Sequence, residues 1–223
     1  MIRIKYNLPV KKESNGNTLF PNSLMRGKYS GLSSTAKSIN EYIPSSKIYV
    51  EPFAGLGRTV ENRHDKIILN DMSDYAVDYL KINFPYAEIT QEDFMVCIKN
   101  HDSENTFFLI DPPWRTGHYK YNDLPYCDRN AYDYYVQLML LFPRLKGTWI
   151  LCCDKKEMEI KKICSKSGYH NKIIESNQML FGRRIGVMLT SNKPFVVEKE
   201  KVKEWIYKEN VRLYGYMMYF NQS

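Results

Sequence analysis

The chain has 223 residues, 43% of them hydrophobic and 26% charged, enough apolar material for one sizeable core beneath an ordinary surface. No apolar run approaches the roughly 20 residues of a membrane span, and Met1-Ile2-Arg3-Ile4-Lys5 has no apolar segment or cleavage site of a signal peptide; an intracellular protein, cytoplasmic or nucleoid-associated and without a membrane partner, is expected. A formal charge of +7 favours a polyanionic partner, although the abundance of Tyr, Lys, Asn and Ile also fits an AT-rich coding genome.

In chain order, residues 1–21 read as an N-terminal arm with a polar turn over 11–17. A helix is predicted over 33–43, capped by Ser33 or Ser34, with Ala36, Ile39 and Ile43 as its apolar points. A strand over 47–50 runs into the turn Glu51-Pro52-Phe53-Ala54-Gly55-Leu56-Gly57. Gly55 and Gly57 allow a bulky ligand to approach the backbone, or else simply make a tight turn. The third glycine of a dinucleotide fingerprint is missing, and no Gly-Lys-Ser/Thr follows, so this is not a P-loop.

The strand over 66–70 ends at Asp71, whose carboxylate suits the two hydroxyls of a ribose or the start of the helix that Ser73 caps. A short strand over 88–90 leads to Asp93-Phe94, read either as an acceptor and apolar face for an adenine ring or as a turn acid and a core ring. After a small helix over 95–100, the apolar run 106–110 stops at Asp111-Pro112-Pro113-Trp114. Neither proline can donate a backbone hydrogen bond, so a carboxylate, two stiff carbonyls and an aromatic are held at a strand's carboxyl end. Such a group can accept from a planar amino group and cover its ring.

The loop 115–130 interleaves Arg115, His118, Lys120 and Arg129 with Tyr119, Tyr121 and Tyr126. It is either an ordinary polar loop or a surface offering cations to phosphates and rings to bases. A helix over 131–142, a strand over 148–152, a Lys-rich helix over 156–166 and strands over 173–175 and 186–190 follow. Arg183 and Arg184 in the intervening loop are a second candidate nucleic-acid contact. The tail 197–223 carries a helix over 197–209 and an aromatic stretch. Strands alternating with helices predict an α/β fold, a mostly parallel sheet of seven strands with helices on both faces. The five cysteines, Cys97, Cys127, Cys152, Cys153 and Cys164, read as reduced structural thiols, with Cys152 and Cys153 pointing to opposite faces of one strand. No His/Cys cluster has zinc-ligand spacing, so no metal is expected.

Together these motifs resemble S-adenosylmethionine-dependent adenine-amino methyltransferases, and most closely the Dam-type DNA adenine methyltransferases. Arg26-Gly27-Lys28-Tyr29 before the first helix, the 51–57 turn, and Arg183-Arg184-Ile185-Gly186-Val187-Met188-Leu189-Thr190-Ser191-Asn192 are similar to that family's segments, over residues 22–195. The resemblance implies a Rossmann-like methyltransferase domain at 22–196. It implies an S-adenosylmethionine pocket lined by Lys28, Glu51, Phe53, Gly55, Gly57, Asp71, Asp93 and Phe94, with Asp111, Pro112, Pro113 and Trp114 holding the target base. The implied reaction is methylation of the adenine N6 amino group in DNA. Two departures keep other readings open, an RNA adenine methyltransferase or a partner-dependent nucleic-acid-binding subunit. Trp114 stands where the family has tyrosine, a form shared with messenger-RNA adenine methyltransferases, and no recognition insertion separates Asp71 from Asp93. Target reading then falls to the loops, the arm, the tail, a homodimer or a recognition partner.

Overall fold

Strands β1 (Ile48–Glu51), β2 (Lys66–Asn70), β3 (Glu88–Thr90), β4 (Thr106–Ile110), β5 (Thr148–Asp154), β6 (His170–Leu180) and β7 (Arg183–Ser191) form one sheet. The computed structural model describes residues 35–61, 63–114, 131–180 and 183–195. The strand order is β3-β2-β1-β4-β5-β7-β6. Neighbours among β1 to β5 pair in parallel, and β7 is antiparallel to both β5 and β6. This is the expected Rossmann-like methyltransferase arrangement, with β7 alone running against the rest.

β1 pairs with β2 on one side and β4 on the other, Val50 facing both Ile68 and Phe108. The chain therefore winds outward from β1 in two directions, and a crevice opens beyond the carboxyl ends of β1 and β4. Open α/β sheets bind ligands at such a switch point.

Alternation along the strands builds a core on each face. Val50, Ile68, Phe108, Ile110, Leu151 and Cys153 pack on one side, where Trp149 stacks on Phe142 at 3.8 Å. Tyr49, Ile67, Leu69, Phe107, Leu109, Ile150 and Cys152 pack on the other. The adjacent cysteines thus divide between faces as the pleat requires, and the four described cysteines are buried and free.

The described helices are α1 (Ala36–Asn40), α2 (Asp74–Asn83), α3 (Phe94–His101), α4 (Ala131–Leu141) and α5 (Met158–Lys166). Ser73 caps α2 by accepting from the Ala76 N–H at 3.4 Å, and Asp93 caps α3 by accepting from Met95 at 2.8 Å. α1 ends at Asn40, short of the predicted residue 43, and the predicted caps Ser33 and Ser34 lie outside the described residues. Pro44 has no N–H to give the Asn40 carbonyl, which takes the Arg63 guanidinium at 2.8 Å instead, and the Asn40 side-chain amide donates to Glu61 at 2.7 Å. β6 and β7 extend beyond their predicted cores because each completes the other's ladder in one hairpin. No helix among the described residues is long and apolar enough to cross a membrane.

Candidate functional site at the switch point

Glu51 closes β1 and is 4% exposed. Its Oε1 accepts from the Tyr49 hydroxyl and, at 2.5 Å, from the Thr59 hydroxyl, tying the start of the glycine turn to its end. Gly55 and Gly57 have φ of 52° and 59°, where a Cβ is strained. At Gly57 that Cβ would also lie 2.9 Å from the Phe84 ring, so α2 seats against bare backbone.

The carboxylate of Asp71 accepts from the Gly55 N–H at 2.8 Å and the Ser73 N–H at 2.9 Å. It joins the glycine turn to the start of α2, and the roughly four lone-pair sites of a carboxylate leave capacity for a ligand hydroxyl. Burial raises its pKa, opposed by the N–H groups of Ser73, Gly55 and Met72.

Asn70, unremarked in the sequence, lies beneath all of this, fully buried. Its amide donates to the carbonyls of Pro52 at 3.0 Å and Glu92 at 2.9 Å. Its oxygen accepts from the Thr90 hydroxyl and the Glu92 N–H, both at 2.9 Å. One side chain therefore locks the ends of β1, β2 and β3 together and uses its full hydrogen-bonding capacity. The only sequence signal was a polar residue ending an apolar strand.

Asp93 stands at the head of α3, while Phe94 is 3% exposed and packs on Phe53 at 4.9 Å and Tyr134 at 5.6 Å. Phe53 is partly exposed at the turn. The aromatic surface near the glycine turn is thus Phe53, backed by Phe94.

At the end of β4, the Trp114 indole N–H donates to Asp111 Oδ1 at 2.8 Å. The ring packs, partly buried, against the core face that carries Tyr49. The turn is therefore braced from within, aromatic to carboxylate. Burial pushes the Asp111 pKa up to about 7; the Trp114 bond opposes this and the nearby Glu51 charge adds to it. Glu51 is likewise raised to about 7 by burial, with the Thr59 and Tyr49 hydroxyls opposing. Among the described residues, no lysine, arginine or histidine pairs with Glu51, Asp71 or Asp111. Tyr135 on α4 is a further neighbour missed in the sequence. It is 2% exposed, its hydroxyl has no hydrogen-bond partner among the described residues, and burial and then the Cys153 and Asp111 charges raise its pKa.

Lys28, Arg115, His118, Tyr119, Lys120 and Tyr121 lie outside the described residues, as do the side chains of Arg183 and Arg184. The backbone of those two arginines opens β7, opposite Leu180 and Met179. Because β7 runs against β5, with Val187 facing Asp154, its beginning lies on the sheet edge that carries Asp111.

The raised Glu51 carboxyl gives stability a definite pH dependence. Its pKa is about 7 in the fold against an ordinary 4.5. The folded state holds the proton more tightly, so this contribution is complete below about 4.5 and is lost as pH rises towards 7. Glu51→Gln keeps an acceptor for both hydroxyls. It is expected to be more stable than the parent at pH 8, by up to about 3 kcal/mol, and nearly equal to it at pH 4. Urea melts at the two pH values measure this; an equal gap at both would refute it.

No protein-family model matches the chain, and no curated protein matches it in sequence. Solved structures similar to it include the B. subtilis M1A22 tRNA methyltransferase TrmK, 15% identical, covering 73% of this chain and 67% of that one, TM-score 0.48. A TehB-like SAM-dependent methyltransferase from Corynebacterium glutamicum is 14% identical over 73% of this chain and 89% of its own, TM-score 0.47. A putative RNA methyltransferase from Pyrococcus horikoshii is 15% identical over 82% of this chain and 92% of its own, TM-score 0.45.

Proposed function

We propose that this chain is an S-adenosylmethionine-dependent methyltransferase that modifies the exocyclic N6 amino group of adenine in a nucleic acid. The observation that carries this reading is the set of three carboxyl groups, Glu51, Asp71 and Asp111, around a glycine turn at the switch point with no cation among their described neighbours. A cationic ligand with ribose hydroxyls fits that donor set. When bound, its sulfonium supplies an activated methyl group. Asp71 holds the ribose, the turn at Gly55 and Gly57 leaves room for the ligand, Glu51 contributes negative charge, and Phe53 backed by Phe94 provides the apolar wall. Lys28 and Asp93 complete the pocket in this reading.

The target amino group is a poor nucleophile because its lone pair is delocalised into the ring. Asp111 and the Pro112 carbonyl accept its two N–H bonds, which favours a pyramidal nitrogen whose lone pair is free to attack. Pro113 stiffens the turn and Trp114 covers the extruded base. Asp111, poised near neutrality, accepts the proton that the nitrogen must lose. Positioning supplies much of the rate. Arg115, His118, Tyr119, Lys120, Tyr121, Arg183 and Arg184 are assigned to the nucleic acid.

DNA is the leading carrier by the sequence resemblance, and RNA is the second reading. One observation favours RNA: only α2 and β3 stand between Asp71 and Asp93, which leaves no recognition insertion. Calorimetric titration with S-adenosylmethionine at several pH values tests the pocket. Affinity is expected to rise as pH increases through about 7, with proton release below it, because the cation favours the ionised carboxyls. Absence of binding at every pH would overturn the assignment. Parallel transfer assays on duplex DNA, single-stranded DNA and RNA then decide the carrier.

A further inference from the structure

We propose that Glu92, Cys97 and His101 form a binding site for a zinc-class divalent metal ion where α3 meets the segment leaving β3, separate from the switch-point carboxyls. One ligand atom from each residue lies within 4.8 Å of the other two, a cluster one small ion can span. Cys97 and His101 are four residues apart on α3 and so share one face of the helix. Glu92 precedes the helix, and its place is set from two sides. Its backbone N–H and carbonyl are both held by the Asn70 amide at 2.9 Å.

The donor set is a sulfur, an imidazole nitrogen and a carboxylate oxygen, which suits zinc and disfavours magnesium or calcium. Thiolate and carboxylate together would neutralise a divalent ion, and three protein ligands leave a fourth tetrahedral position for water. Cys97 is buried, whereas Glu92 and His101 are partly exposed, so the ion has a path in from solvent. Glu88 beside His101 is already engaged by Lys66 at 2.7 Å. Sequence spacing hid this set because one ligand lies outside the helix and the motif has a single cysteine. The site would pin α3 to the segment leaving β3, and so hold Asp93 and Phe94 in place. It does not depend on the proposed methyl transfer.

Cobalt(II) is the probe, added to the full-length protein after chelator treatment. The expected result is a tetrahedral visible spectrum with a near-ultraviolet thiolate-to-cobalt band, competed away by zinc. Cys97→Ser should abolish the thiolate band. His101→Gln, at a partly exposed position that spares the core, should lose more than about tenfold in affinity, since even outer-shell changes cost ~10–100-fold. Lys99→Gln on the exposed face of α3 should bind as the parent does. No thiolate band in the parent, a band that persists in Cys97→Ser, or unchanged affinity in His101→Gln would each overturn the site.

Discussion

Replacing Asp111 by alanine is expected to slow methyl transfer by at least about a hundredfold to a thousandfold, the loss typical of removing one preorganised polar group from a reacting centre. Cofactor affinity should change by less than about tenfold, since Glu51 and Asp71 remain at the pocket. The protein should stay folded, because Asp111 contributes a costly buried carboxyl rather than a packing contact; its raised pKa is the measure of that cost. Asp111→Asn sharpens the test. It keeps an oxygen to accept from Trp114 but can turn an N–H donor towards the substrate's own donors, so transfer should fall nearly as far. Single-turnover rates and a cofactor titration on the same preparations separate the two effects. Transfer that survives in both variants would remove Asp111 from the mechanism.

Asn70→Ala is expected to destabilise the fold by about 3–5 kcal/mol, among the largest effects a single substitution produces. It would strand the Pro52 carbonyl, both backbone groups of Glu92 and the Thr90 hydroxyl at once. Asn70→Asp should be no milder, because it turns a carboxylate oxygen towards two carbonyls. Denaturant midpoints measure the loss. Since the same bonds align the ends of β1, β2 and β3, cofactor affinity should also weaken in protein that is still folded. A loss below about 1 kcal/mol would show that the ends of these strands are held by something else.

What the sequence disclosed and what it concealed divide along physical lines. The apolar runs of β1, β2, β4 and β5 and the cap at Ser73 are local properties, so periodicity and residue type located them. The ordering of the strands about β1 then placed Glu51 and Asp111 at one crevice. Asn70 stayed hidden because its partners are 18 to 22 residues away, at strand ends that meet only in the folded sheet. Helix α1 ends short of residue 43, where Pro44 leaves the Asn40 carbonyl to Arg63 across more than 20 residues. The bond from Trp114 to Asp111 depends on the path of the double-proline turn, which residue type alone does not give. Tyr135 comes near Asp111 only once α4 packs on the sheet.

The most direct measurement follows labelled methyl from S-adenosylmethionine into nucleic acid, which is then digested to nucleosides. Label is expected in N6-methyladenosine or its deoxy form with the parent protein, and none above background with Asp111→Ala. Label in another nucleoside or in protein, or equal incorporation by the two proteins, would contradict it.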